Sequence, residues 1–351
     1  MEVEKVADRL VREAAALQAS DIHIVPKKDG AIVQFRLDGA LVTREKLAKD
    51  VHERLVAHFK FLADMDIGER RRPQNGAMEM EVDGGVVSLR LSTLPTFYDE
   101  SLVIRLLPQD SFLPLAQLSL FPSATKKLVS LLHHSHGLII FTGPTGSGKT
   151  TTLYTLLRLC QEWNRHVITL EDPVEKRTEC LQVQVNEKAG ITYATGLKAI
   201  LRHDPDIIMV GEIRDAETAK ISVRAALTGH LVLTTMHTKN AVGAIYRLLE
   251  FDVSLQEIEQ TLLAVTAQRL VELVCPLCGE KCSPFCRRQR SVRRVAIYEW
   301  LDGEALASAL KEARGELVTY RYPTLPQMIA KGIALGFLPP SSLKGWGMGE
   351  A

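Results

Sequence analysis

Apolar residues recur at spacings of three and four from the start of the chain. Val3, Val6, Ala7, Leu10, Val11, Ala14 and Leu17 fall on one face of a helix predicted over 3–18. The period then shortens. Residues 22–25 (IHIV) and 31–37 predict strands, with a turn at Asp29-Gly30 between them and the hairpin dipeptide Asp38-Gly39 after the second. A helix is predicted over 49–63 and strands over 78–82, 86–91 and 102–107, with Asp83-Gly84 turning between the first two. Residues 1–107 therefore predict a small mixed α/β domain. Residues 108–119 hold two prolines and little periodicity, and read as a linker. Pro122 suits the first turn of a helix running to about Ser135.

From residue 136 the pattern changes. Short apolar runs at 138–142 (LIIFT), 166–170 (HVITL), 207–210 (IIMV) and 231–236 (LVLTTM) alternate with helix-length segments. Buried strands separated by helices predict a mainly parallel sheet covered on both faces, the α/β class, over residues 120–270. After 254 the pattern reads as mostly helical, and residues 271–351 are set apart as a C-terminal region with a cysteine cluster.

The turn after strand 138–142 carries candidate chemistry. Gly143, Pro144, Thr145, Gly146, Ser147, Gly148, Lys149 and Thr150, followed by Thr151, fit G-x-x-x-x-G-K-[ST]. In such a loop the glycines let backbone N–H groups face phosphates, the lysine reaches the β- and γ-phosphates, and the threonine hydroxyl ligates Mg²⁺. The preceding strand and following helix strengthen the reading, because a helix N-terminus favours an anion. Hydrolysis of ATP needs further acids. Glu212 follows strand 207–210 after one glycine, where a Mg²⁺-binding acid belongs. Glu171, Asp172 and Glu175 follow another strand, and Asp172-Pro173 turns the chain there. His230 and His237 flank strand 231–236. His237, just past its end, is either a γ-phosphate sensor or a structural histidine.

Composition adds exclusions. At 351 residues the chain predicts about two domains plus a small appendage, and 46% hydrophobic with 24% charged residues is the balance of a globular protein. The 43 basic and 42 acidic residues leave a charge of +1, so direct nucleic-acid binding is not expected. No apolar run reaches the ~18–20 residues that span a bilayer. The start, MEVEKVADRL, lacks the apolar stretch of a secretory signal. A cytoplasmic chain, at most peripheral to the membrane, is the expectation.

Four of the six cysteines, Cys275, Cys278, Cys282 and Cys286, fall close together. Such a cluster reads as a metal site before disulfides, and four thiolates suit tetrahedral Zn²⁺. A straight helix would hold Cys278 and Cys286 ~12 Å apart, too far for one ion. Pro276, Gly279 and Pro284 favour a knuckle instead; the other reading is a set of oxidisable loop thiols. Arg287, Arg288, Arg290, Arg293 and Arg294 follow, as a solvated face or a contact for anionic lipid.

Taken in order, GPTGSGKTT, TLEDPVE, DPDIIMVGEIRD and ALTGHLVLTTMHT resemble the secretion ATPases, which power type II secretion and type IV and competence pili. ASDIHI (19–24), RLDG (36–39), RRPQNG (71–76), LRLSTLPT (89–96) and VRRVAIYE (292–299) extend the resemblance over about 17–300. It implies a hexameric ring of chains, each with a PAS-like N-terminal domain and a RecA-like ATPase domain, with ATP between the two. It implies that Lys149 and Thr150 bind phosphate and Mg²⁺, that Glu212 acts as the Walker B acid, and that Glu175, or else Glu171, orients water. His237 then contacts the γ-phosphate with His230 in support, and Arg90 and Arg105 approach the nucleotide. A polytopic inner-membrane platform protein is the implied partner.

Where the family has P-Q-D-G-R, this chain has Pro73-Gln74-Asn75-Gly76-Ala77. An arginine expected at 77 is missing, which leaves Arg90, Arg105 or Arg72 to replace it, or turnover to be slow. The start about 20 residues before IHI, together with the compact cysteines, looks most like the competence-pilus branch of Gram-positive bacteria, with DNA uptake as the implied output. A truncated type II secretion or type IV pilus ATPase for assembly or retraction, a nucleotide-switched scaffold, and a DNA-translocating motor are the alternatives.

Overall fold

The computed structural model describes residues 3–37, 39–83, 85–109, 112–279, 282–283, 286, 290 and 292–343. The chain forms two compact units, Met1–Ser111 and Phe112–Ala351. The turn residues Asp38 and Gly84 lie outside the described residues, as do Pro284, Arg287 and Arg288.

The first unit is a six-stranded antiparallel sheet. Its strands are β1 (Asp21–Lys27), β2 (Gly30–Leu37), β3 (Ala40–Leu47), β4 (Gln74–Val82), β5 (Gly85–Pro95) and β6 (Glu100–Pro108), ordered β3-β2-β1-β6-β5-β4. The alternating pattern of β1, β2 and β5 buries Ile22, Ile24, Val33, Phe35, Leu89 and Leu91. They share one core with Leu10 of helix α1 (Val3–Ala16) and Leu55 and Phe59 of α2 (Lys49–Leu62). Each such side chain contributes about 1.5–3 kcal/mol of burial. Strand β3 is absent from the sequence reading because Thr43, Arg44, Glu45 and Lys46 dilute its apolar signal.

In the second unit, strands β7 (Gly137–Thr142), β8 (Val167–Glu171), β9 (Leu181–Gln184), β10 (Ile207–Val210), β11 (Leu231–Met236), β12 (Leu262–Glu272) and β13 (Arg294–Asp302) form one sheet. Its order is β13-β12-β7-β11-β10-β8-β9, and only the β12–β13 pair is antiparallel. Successive residues of the central strands enter opposite cores. Leu138, Ile140, Ile208 and Val210 join α5 (Tyr193–Ile200), α6 (Ala216–Leu227), α7 (Val242–Glu250) and α8 (Leu255–Thr261). Ile139, Phe141, Ile207 and Met209 join α3 (Pro122–Leu131) and α4 (Lys149–Glu162). Double burial is why these strands read as unbroken apolar runs.

The expectation of a mostly helical chain after 254 is corrected. Strands β12 and β13 extend the same sheet, and α9 (Gly303–Ala313) and α10 (Leu325–Ala334) pack against it. Strand β13, beyond the boundary set at 271, thus belongs to the second unit's sheet.

Candidate active site

The carboxyl ends of β7, β8, β10 and β11 share one edge of the sheet, and the loops that leave them carry most of the expected residues. Beyond β7 the loop Gly143–Gly148 turns into α4. Gly143 has φ 147° and Gly148 φ 86°, and a Cβ on either would stand within 3 Å of Gln268. Glycine is required at both positions by conformation and by space. Helix α4 then presents its N-terminus to the loop, with Lys149 first and Thr150 half-buried beside it. Pro144, Thr145 and Gly146 form the exposed rim and Thr151 faces outward.

Lys149 Nζ donates to the carbonyls of Gly143 at 2.7 Å and Pro144 at 3.1 Å. Burial lowers its pKa to about 8, against the pull of the Glu212 carboxylate. His237, directly after β11, donates from Nδ1 to the Gly143 carbonyl at 2.9 Å. Its Nε2 lies 3.3 Å from Glu212 Oε1. Arg214 holds the other Glu212 oxygen at 2.8 Å and lies 3.9 Å from Asp172. The glycine loop, Glu212 and His237 therefore meet within one chain.

The two acids after β8 have different surroundings. Glu171 is buried and accepts hydrogen bonds from Tyr154, from Thr169 at 2.6 Å and from Gln182 at 3.3 Å. Burial raises its pKa. Glu175 is exposed, and its charge reaches the Lys149 ammonium.

The pairing of His230 with His237 at the nucleotide is corrected. His230 precedes β11, so a six-residue strand separates the two, ~20 Å at ~3.3 Å per residue. There His230 Nδ1 donates to the Ala225 carbonyl at 3.1 Å, at the end of the sheet away from the loop.

Arg90 and Arg105 belong to the first unit. They sit opposite one another on β5 and β6, in a row across the sheet that reads Arg36, Asp21, Arg105, Arg90, Ala77. Asp21, only 4% exposed, accepts from Arg105 Nε at 2.9 Å and lies 3.6 Å from Arg36 Nε.

Whether these residues fit MgATP is tested by the loop itself. It is a glycine cradle closed by a lysine, and the buried Ser147 hydroxyl has no hydrogen-bond partner among the described residues. An orphan donor of this kind needs an acceptor such as a phosphate oxygen. With Thr150 and Glu212 at hand, the residues fit.

The cysteines also fit their metal. The four sulfurs lie within 4.8 Å of one another, and Cys275 Sγ is 3.5 Å from Cys286 Sγ. Tetrahedral Zn–S bonds of ~2.3 Å need sulfurs ~3.8 Å apart. The knuckle forms as expected: Cys275 and Gly279 exchange backbone hydrogen bonds of 3.2 and 2.8 Å, with Gly279 at φ 67°. Burial would raise the Cys275 thiol, but hydrogen bonds from the N–H groups of Cys278 and Leu277 and from the Cys286 and Cys282 thiols together lower it to about 6, favouring the thiolate that binds metal.

Sequence reasoning missed Arg214, Tyr154, Gln182, Gln268 and Arg269. Arg214 was in view two residues after Glu212. The others have no motif: Tyr154 on α4 and Gln182 on β9 reach Glu171, and β12 brings Gln268 and Arg269 beside Gly143.

Residues 1–339 match the family model described as Type II/IV secretion system protein. Competence protein ComGA of Bacillus subtilis (strain 168) is 57% identical over 347 residues, 98% of each chain. Type II secretion system protein E of Dickeya dadantii is 44% identical over 79% of this chain and 56% of its own length. Among solved structures, the pilus retraction motor PilT with bound ADP aligns with a TM-score of 0.67 at 26% identity, covering 96% of this chain and 95% of that one. The Legionella pneumophila ATPase DotB aligns at 0.74 and 23% identity, over 96% and 94%, an agreement of fold.

Proposed function

The chain belongs to the type II/IV secretion system protein family and is an ATPase, and we propose that it works as a hexameric motor assembling a type IV-like competence pilus for DNA uptake. The observation that carries this is the meeting of Lys149, Glu212 and His237 at one glycine-rich loop. The near-full-length likeness to a competence protein favours assembly for competence over retraction.

In this reading Lys149 and the N-terminus of α4 hold the phosphates. Thr150 and Glu212 would hold Mg²⁺, which when bound neutralises charge on the β- and γ-phosphates. Glu212 is already oriented by Arg214 and His237, so little ordering remains to be done on binding. His237 senses the γ-phosphate through the ring it anchors on Gly143. Glu175 orients the attacking water. Glu171 is engaged by three donors and buried, and serves to brace the loop that carries Glu175. Arg90 and Arg105 supply positive charge to the nucleotide, their fork geometry suiting phosphate oxygens.

The zinc knuckle pins the end of β12 and the start of β13. No described helix is long and apolar enough to cross a membrane. The motor docks from the cytoplasmic face on a polytopic inner-membrane platform protein, to which it delivers its stroke. DNA uptake by cells whose only copy carries Lys149→Ala tests the reading: uptake and pili should be lost while the protein level is kept. Normal uptake would refute it, and a protein that binds but never hydrolyses ATP would point to a nucleotide-switched scaffold.

A further inference from the structure

A loop with three glycines has weak conformational preferences of its own. Its shape must be imposed by neighbours. Gln268, in the middle of β12 and 1% exposed, grips it from two sides. Nε2 donates to the Ser147 carbonyl at 2.9 Å, and Oε1 accepts from Thr152 Oγ1 in the first turn of α4 at 3.1 Å. Its backbone oxygen lies 2.6 Å from where a Cβ on Gly143 would stand, and its Nε2 2.9 Å from one on Gly148. One residue thus abuts the first and last glycines of the loop.

The orientation of this amide is fixed by proton counting. Turned over, it would set its oxygen against the Ser147 carbonyl, two acceptors face to face. Thr152 also faces the hydroxyl of Tyr298, Gln268's cross-strand partner, at 2.9 Å, and Tyr298 donates to the Leu118 carbonyl at 3.2 Å. Two hydroxyl protons serve three contacts. Among the described residues Thr152 is the only donor to Gln268 Oε1, so its proton goes there, and Tyr298's is divided between Thr152 and Leu118.

We propose that Gln268 is a positioning residue for nucleotide binding, setting the phosphate loop before ATP arrives. In a trans peptide the C=O and N–H groups point in opposite directions. Tying the Ser147 carbonyl to Gln268 therefore turns the Gly148 N–H away from β12. Gln268 touches no nucleotide; it acts through Ser147 and Thr152. The proposal rests on the ATP-binding reading above.

The test uses the full chain with three variants in this buried layer: Gln268→Leu, Thr152→Val and Tyr298→Phe. The readouts are the Kd of a fluorescent ATP analogue with Mg²⁺, KM and kcat for ATP, and the melting temperature without nucleotide. Gln268→Leu should raise Kd and KM ~10-fold or more with kcat within ~3-fold, as loss of two buried hydrogen bonds to a binding loop predicts. Thr152→Val should shift both the same way by ~3-fold. Tyr298→Phe should leave them within about twofold, because the Thr152–Gln268 bond does not need the tyrosine. Folded Gln268→Leu with an unchanged Kd overturns the proposal. So does Tyr298→Phe weakening binding as much as Gln268→Leu, which would mark a general packing loss. If Gln268→Leu does not fold, an unchanged Kd in Thr152→Val overturns it. Failure of the ATP-binding reading itself looks different: the parent chain would then not bind the analogue.

Discussion

Lys149 gives the site a pH signature. Burial lowers its ammonium to about 8, while phosphate binding brings negative charge beside it and raises it again. The protonated form binds, so affinity for MgATP should be complete below pH 8 and fall above it, by up to about tenfold per pH unit as one proton is taken up. Titrating the Kd of an ATP analogue from neutral to alkaline pH measures this, and Lys149→Met should flatten the curve. The two acids after β8 separate in the same assay. Glu175→Gln should keep nucleotide binding and lose at least ~10²-fold in kcat. Glu171→Gln should act mainly on stability, because it disturbs a buried network. Loss of turnover in Glu171→Gln with normal turnover in Glu175→Gln would exchange their roles. Lys149 stood out by its motif, and Glu212 and His237 by following short apolar runs closely; the structure brings the three to one loop. His230 was misread because flanking one strand does not mean sharing one end of it, and only strand direction tells which end holds the loop.

Strands were legible where their burial was simple. The central strands of the second unit, apolar on both faces, stood out, but LLAVTAQRLVE of β12 has apolar spacings that suit a helix as well as a strand. Gln268 and Arg269 were lost with it. In the first unit, pairing explains what a missing arginine means. Ala77 is the direct cross-strand neighbour of Arg90, which faces Arg105. Ala77→Arg would extend that row by one guanidinium, with Cβ atoms ~5 Å apart. It should raise kcat at saturating ATP, whereas Arg90→Ala should lower it by ~10³-fold if Arg90 acts as the charge-stabilising arginine. An unchanged Ala77→Arg beside a crippled Arg90→Ala would show that Arg90 already fills the role. Equal turnover in all three proteins would remove this row from the chemistry.

At the scale of the molecule, the prolines of 108–119, read as a linker, lie about where the two units part. The boundary set at 271 falls inside the second unit, because β13 pairs back onto β12 across the cysteine knuckle and such a pairing leaves no local pattern. That knuckle should carry one Zn²⁺ per chain in protein purified without chelator, and the ratio should collapse in Cys282→Ser; a ratio near zero in the parent would leave only free thiols. A head-to-tail contact either closes into a ring or runs on as a filament, and on the proposed ring, sedimentation with an ATP analogue should show hexamers. A monomer at concentrations well above micromolar would contradict the ring. The central claim, a Mg²⁺-dependent ATPase built on the loop Gly143–Gly148, is tested most directly by phosphate release from the purified full chain. The account predicts steady release with ATP and Mg²⁺, none when EDTA removes the metal, and none in Lys149→Ala. Release that survives unchanged in Lys149→Ala would contradict it.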